Sequence, residues 1–192
     1  MKAVERNAKT KKRDAKATRQ ALLEAALRRF AAHGYDQVGL RDIAADVGVD
    51  PALVNRYFGT KANLFAQSVA RNMAFATLLE GPRAELGQRL AHYVVQKGSQ
   101  GGSLDPLLAQ IRSSANEEAR AIFREQLERH FIAPLASWLG GENAHERAGL
   151  VAAELAGLAT MRTILGVRVL NQEDAEGLTE RVGRTLQTYI DG

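Results

Sequence analysis

The chain has 192 residues, 45% of them apolar by type, a formal net charge of +4 and no cysteine. That length holds one or two small domains with a real core, and the missing cysteines exclude a disulfide framework, a cysteine-bound zinc site and a thiol nucleophile. The charged N-terminus lacks the apolar stretch of a secretory signal, and no apolar run is long and uninterrupted enough to cross a membrane, so a cytoplasmic protein is expected.

Residues 1–14 read as a basic flexible tail. Over residues 1–20 eight basic side chains face only Glu5 and Asp14, a surplus of +6 beside a neutral 21–80 and −2 over 81–192. Most such tails merely solvate the chain; this one adjoins an element that gives it a phosphate-facing use. A first helix is expected from about Ala15 to His33, with Leu22, Leu23, Ala26, Leu27 and Phe30 on one face and Gly34 as its stop.

Leu40, Ile43, Ala44 and Val47 then fall at i, i+3, i+4 and i+7, giving a second helix one apolar face. Gly48 suits the positive φ of a helix terminus, Asp50 caps the next helix and Pro51 occupies its first position, where a missing N–H costs nothing. Val54, Tyr57 and Phe58 turn toward the preceding helix, which leaves Ala52, Leu53, Asn55 and Arg56 outward. This is a helix-turn-helix whose second helix is the candidate reader of the major groove. Two helices around a turn also occur in proteins that never meet DNA; the adjacent basic surplus decides for nucleic acid.

A fourth helix is expected from Lys61 to about Leu79, ended by Gly81-Pro82, and a fifth from about Arg83 to Lys97. The stretch 98–103 reads as a linker, not a phosphate cradle, since no strand precedes it and no Lys-Ser/Thr follows. Asp105-Pro106 opens a sixth helix to about Ser113. Asn116 caps a long seventh to Leu139, which Pro134 should kink. Arg147 to about Gly166 forms the eighth helix, in which the apolar run 148–165, broken by Glu154 and Arg162, reads as buried rather than membrane-spanning. Glu173 to Ile190 forms the ninth. The fold class is therefore all-α.

The last two helices suggest self-association. Gly149, Ala153 and Gly157 recur every four residues and would let another helix approach closely. Leu178, Val182 and Leu186 share one face of the ninth helix, so two such helices from each of two chains would make a two-fold interface. The alternative is that both helices are internal core of a monomer; a helix-turn-helix reading two half-sites favours the dimer. Between these parts, Tyr93, Ile111, Phe131, Trp138 and Met161, with Met73 and Phe75, could line a pocket for a small ligand, with Arg112 or Glu154 orienting its polar end. Each of them is also ordinary core or ion-pair material.

From about Thr18 to Val69 the chain resembles the N-terminal domain of TetR-type transcriptional regulators. The resemblance is carried by Gly34-Tyr35, Arg41-Asp42-Ile43-Ala44, Gly48-Val49, Tyr57-Phe58-Gly59-Thr60-Lys61 and Leu64-Phe65, in residue type and in spacing. The rest resembles the family only in being helical and of suitable length. The resemblance implies DNA contact from Arg41, from Pro51, Ala52, Leu53, Asn55 and Arg56 on the reading helix, from the Tyr57 hydroxyl, and from Thr60 and Lys61 at the next helix start. Departures from the family's pattern are Val38-Gly39 where a capping Ser or Thr is usual, Asn55 where Tyr is usual and Asp50 where Ser is frequent. Asn55 can pair with adenine N6 and N7 as a Tyr cannot, which shifts the expected base preference.

Enzymatic sites are not apparent. His33, His92, His130 and His145 have no metal spacing, no Gly-x-Ser-x-Gly elbow occurs, and the glutamates at 117, 118, 125 and 128 sit beside arginines as solvated helix pairs. The expected organisation is a tail over 1–14, a DNA-binding domain over 15–75 and a ligand-binding and dimerisation domain over 76–192. It would act without cofactor or metal, as a homodimeric repressor released from a palindromic double-stranded operator by a small, largely apolar effector. Two other readings remain: a dimeric regulator without a small-molecule ligand, controlled by abundance or a protein partner, and an enzyme or carrier whose helix-turn-helix is structural.

Overall fold

A computed structural model describes the backbone of residues 2–71, 76–99, 105–171 and 174–192, with side chains over 14–70, 77–96, 106–171 and 174–192. Among the described residues there is helix, turn and irregular chain but no strand, as the absence of two-residue alternation requires. The side chains of the basic stretch 2–13, the linker at 100–104, Met73 and Phe75 lie outside the described residues. The chain divides into two compact units, one formed by Met1–Val69 with Ala109–Phe123, the other by Ala70–Leu108 with Arg124–Gly192.

The first unit opens on α1 (Lys2–Gln37), which begins well before the expected Ala15 and is broken at Gly34, where φ is 77°. The chain then turns into α2 (Leu40–Val47), α3 (Pro51–Phe58) and α4 (Lys61–Arg71). Leu22, Leu23, Ala26, Leu27 and Phe30 from α1 are buried with Ile43, Ala44, Val54, Phe58, Leu64, Phe65 and Val69. Three aromatic rings centre this core: Phe30 meets Phe65 edge-on at 4.9 Å, and Tyr35 meets Phe65 at 5.2 Å. Each fully buried side chain of this size stabilises by roughly 1.5–3 kcal/mol relative to exposure.

The segment 109–123 belongs to this unit, whereas the sequence division assigns it to a domain beginning at 76. It comes from the end of α6 (Asp105–Ser113) and most of α7 (Glu117–Leu127). The reason is the break at Gly34. A broken helix leaves the Tyr35 N–H without an intrahelical partner, and the buried Ser113 Oγ accepts it at 2.9 Å. The Tyr35 hydroxyl donates to Glu118 Oε2 at 2.9 Å and Asn116 Nδ2 donates to Asp36 Oδ1 at 2.7 Å. A Cβ at Gly34 would stand 2.7 Å from the Arg112 carbonyl oxygen, so the two backbones meet there only because residue 34 has none.

The second unit is built on α5 (Leu86–Ser99), α8 (Ala133–Leu139), α9 (Ala144–Ala159) and α11 (Ala175–Asp191), with the short α10 (Arg168–Asn171). Leu86, Leu90, Leu135, Leu139, Val151, Leu186 and Ile190 form its main core, continued by Val94, Val95, Ala159 and Leu178. Leu86 shares a cluster with Leu186 and Ile190 at one end, and Val95 one with Leu178 at the other, so α5 and α11 run antiparallel. They cross at two glycines: a Cβ on Gly87 would come within 2.3 Å of the Gly183 carbonyl oxygen.

The expected kink at Pro134 takes another form. The helix widens to a π turn over Glu128–Ile132 just before α8. Proline supplies no N–H to the carbonyl four residues back and crowds it, and a wider turn relieves both. Asn116 caps α7 as expected, its Oδ1 accepting the Ala119 N–H at 2.9 Å. A second π turn, Thr160–Ile164, ends α9.

The partner assigned to the ninth expected helix, now α11, needs correction. Leu178 is 5% and Leu186 0% exposed, both spent on α5 inside the chain, and Val182 packs on the same core. The close helix approach is made by Gly87 and Gly183. Gly149 and Gly157 have nothing within 4 Å of a Cβ position, and Ala153 and Gly157 are exposed.

Candidate nucleic-acid interface

α2 and α3 are each eight residues long and are joined by a tight turn. Gly48 is left-handed, with φ 70° and ψ 35°, and its N–H returns to the Ala44 and Ala45 carbonyls. Asp50 Oδ1 accepts the Ala52 N–H at 2.7 Å, and Pro51 follows as the first helical residue. Local chemistry therefore fixes where each helix stops and starts. Gly39 has no side chain with which to cap α2, but Asp42 Oδ2 accepts the Gly39 N–H at 3.0 Å, half of a capping box.

The buried face of α2 holds Ile43 and Ala44, and that of α3 holds Val54 and Phe58. Pro51, Ala52, Asn55 and Arg56 are exposed on α3, as is Arg41 on α2. Leu53, expected outward, is half-buried, because it lies one turn before Tyr57 and shares its side of the helix. Tyr57 is half-buried, with the Arg56 guanidinium 5.7 Å from its ring centroid. The outward surface of α3 thus offers one amide and one guanidinium, groups able to pair with adenine and guanine edges.

Thr60 and Lys61 begin α4. Thr60 Oγ1 accepts the Asn63 N–H at 3.1 Å, which leaves its hydroxyl proton free to donate outward. The Lys61 ammonium lies 4.5 Å from the Tyr35 ring centroid and 3.5 Å from the Asp36 carbonyl oxygen. Its charge is thereby held beside the α4 N-terminus, where the first backbone N–H groups have no carbonyl one turn back within the helix. Sequence reasoning had no signal for that hold, since Tyr35 arrives from another helix.

Two ionisable pairs stiffen the unit. Arg29 on α1 grips Asp46 on α2 with two hydrogen bonds, 2.5 and 2.7 Å, which lowers the Asp46 carboxyl from its ordinary value and raises Arg29. Burial, helped by Glu118, raises the Tyr35 hydroxyl well above its ordinary value, so it stays a donor.

The expected ligand residues are spread through the chain. Ile111 and Arg112 are exposed in the first unit; Tyr93 and Met161, 39% and 45% exposed, belong to the second. Phe131 and Trp138 pack on the main core of the second unit, with the Arg83 guanidinium 5.3 Å from the Trp138 ring. Glu154 takes a hydrogen bond from Tyr189, yet desolvation outweighs it and raises its carboxyl. An open groove of about 570 Å³ is lined by Arg83, Leu139, Glu142, Glu146, Arg147 and Leu150 among others, and by none of these seven. Arg147 there bonds the Gly140, Tyr189 and Ile190 carbonyls, closing the ends of α8 and α11. No group of three or more His, Cys, Asp or Glu placed to hold a metal occurs among the described residues, nor any helix long and apolar enough to cross a membrane.

Comparison with known proteins divides the chain in sequence order, so that 109–123 falls within the second match. Residues 22–67 match the family described as bacterial regulatory proteins, tetR family, and residues 84–190 match the tetracyclin repressor-like C-terminal domain. An HTH-type transcriptional regulator, BetI, from Agrobacterium fabrum is 40% identical over 76 residues; the match takes in 35% of this chain and 37% of that protein, so the chain spans little more than a third of that curated relative. A crystal structure of a TetR-family regulator from Streptomyces coelicolor A3 is 30% identical, with a TM-score of 0.62 over 91% of this chain and 95% of that one. FadR from Bacillus subtilis, solved with stearoyl-CoA, shares the fold at 18% identity, with a TM-score of 0.65 over 88% and 97% of the two chains.

Proposed function

The chain belongs to the TetR family of transcriptional regulators, and from that premise we propose that it is a homodimeric repressor that reads a palindromic operator and is released by a small, largely apolar effector. The observation that carries the DNA half is the exposed surface of α3, where Asn55 and Arg56 face outward between the buried Val54 and Phe58. Arg41, Pro51, Ala52, Tyr57, Thr60 and Lys61 surround them as phosphate and sugar contacts, with Leu53 at the edge, and the basic residues 1–20 add a sequence-independent, salt-sensitive attraction. Asn55 pairs with adenine and Arg56 with guanine or a phosphate.

Two-fold pairing rests on α9. The open positions at Gly149, Ala153 and Gly157, with Leu150 43% exposed beside them, offer a smooth apolar face to a second copy. The effector reading draws on Tyr93 and Met161, two of the large exposed apolar side chains of the second unit beside Leu150, Leu165 and Val169, and on FadR from Bacillus subtilis, which has this fold and was solved with stearoyl-CoA. An effector favouring one arrangement of the dimer lowers operator affinity by its differential affinity for the two arrangements.

The test is selection of bound duplexes from random and genomic DNA by the purified chain at stated salt. The expected result is an enriched palindrome that Arg56→Ala no longer selects and that stearoyl-CoA, the first effector to titrate, weakens. Steeply salt-dependent binding without enrichment defeats the operator reading. Enrichment untouched by effectors leaves a regulator controlled by abundance or a protein partner.

A further inference from the structure

We infer that Asn63 is a positioning residue for DNA reading, which with Gln67 and Arg19 fixes the C-terminal end of α3 and hence the aim of Asn55 and Arg56. This rests on the reading of α3 as the helix that enters the groove. A helix of eight residues has two turns, and its last carbonyls have no intrahelical donors. At its start α3 is held by the Asp50 cap. At its end the Phe58 carbonyl receives two donors, the Thr60 N–H and Asn63 Nδ2, each at 2.9 Å.

Asn63 is itself held from behind. Its amide oxygen accepts from Gln67 Nε2 at 3.2 Å, and the Gln67 oxygen accepts from the Arg19 guanidinium. The Arg19 guanidinium also lies 5.2 Å from the centroid of the Phe58 ring. The four residues therefore close a circuit from α1 through α4 to the end of α3 and back to α1.

The direction of the circuit is forced by chemistry. A guanidinium only donates and a carbonyl only accepts. Gln67 must then turn its oxygen to Arg19 and its NH2 to Asn63, and Asn63 must turn its oxygen to Gln67 and its NH2 to Phe58. Neither amide can flip without leaving donor facing donor at one end and acceptor facing acceptor at the other. A chain of bonds aligned in one sense, starting from a cation, strengthens each of its members. Asn55 and Arg56 sit in the turn that this circuit pins, so loosening it lets the reading side chains swing while the buried Val54 and Phe58 hold the helix in place.

The experiment uses the full chain, a duplex that the wild type enriches from a random-sequence library, and a scrambled duplex of the same length, at one salt concentration. Asn63→Ala and Gln67→Ala are each expected to weaken the enriched duplex roughly three- to tenfold, the worth of about one net hydrogen bond, and to leave the scrambled duplex unchanged. The double variant should lose no more than Asn63→Ala alone, because Gln67 acts through Asn63. Thermal midpoints should hold, since alanine is the better helix former and the Thr60 cap uses the backbone of residue 63. Equal losses on both duplexes, additive losses in the double variant, unchanged affinity, or a falling midpoint that tracks the affinity each overturn the inference. A wild type that enriches no sequence defeats the underlying operator reading before any variant is made, and the inference falls with it.

Discussion

The pairs α2–α3 and α5–α11 bury apolar faces by different routes. The short helices α2 and α3 meet across a turn of a few residues, set by a left-handed glycine, an aspartate cap and a proline. α5 and α11 are separated by most of the second unit and meet backbone to backbone at Gly87 and Gly183, where side chains would not fit. In the first pair the partner is dictated locally, so the face left over is free to serve a ligand. In the second, the partner is chosen by packing alone, and the apolar face of α11 is consumed in making it.

The largest effect that bears on this contrast is Leu186→Ala. A fully buried leucine against α5 should cost about 2–5 kcal/mol in urea unfolding and leave self-association as in the wild type. An association constant that drops while stability holds would return Leu186 to an interface between chains. Next come two glycines on facing sides of the same question. Gly87→Ala should lose about 1–3 kcal/mol by overpacking despite its better helix propensity. Gly157→Ala, with nothing within 4 Å, should gain about 0.5–1 kcal/mol in the dilute protomer. In thermal or urea unfolding, a gain from Gly87→Ala would mean that α5 and α11 do not cross as described, and a loss from Gly157→Ala that its position on α9 is not open.

Two titrations give smaller effects. The Glu154 carboxyl is raised by desolvation, so ionising it costs stability as pH rises through its folded value. Glu154→Gln keeps an acceptor for Tyr189, and its thermal midpoint should exceed that of the wild type at pH 7 and converge with it near pH 4. Asp46 has the opposite sign. Its folded value lies below its unfolded one, so the Arg29 grip contributes at neutral pH and is lost as pH falls through the carboxylate range. The gap between wild type and Asp46→Ala should be small, shrink with salt, and vanish in acid, as urea midpoints across pH would show.

The same contrast explains what could be read from the sequence. Ile43, Ala44, Val54 and Phe58 inward with Asn55 and Arg56 outward followed from helical spacing plus turn chemistry, because both partners lie within one short stretch. The stripe at Leu178, Val182 and Leu186 said only that a face is buried; its partner, α5, lies about ninety residues earlier and leaves no mark nearby. The attachment of 109–123 to the first unit was hidden for a related reason: it depends on the N–H that the Gly34 break frees and on a serine that reaches it from far along the chain. The Asn63–Gln67 pair was legible only as two polar residues four apart on α4. Its meaning needed Arg19 at one end and the Phe58 carbonyl at the other.

The Ser113, Asn116 and Glu118 contacts to Tyr35 and Asp36 bear on engineering. A DNA-reading module transplanted by a single cut after α4 would leave behind the Ser113 oxygen that satisfies the Tyr35 N–H, and would strip two further partners from the end of α1. A chimera that swaps operator preference between relatives must carry two pieces, 1–69 and 109–123, or rebuild in its host a serine, an asparagine and a glutamate at matching places. The natural boundary for recombination is therefore a set of three seams, after residues 69, 108 and 123, and libraries cut at one seam alone should yield mostly chains with a crippled first unit.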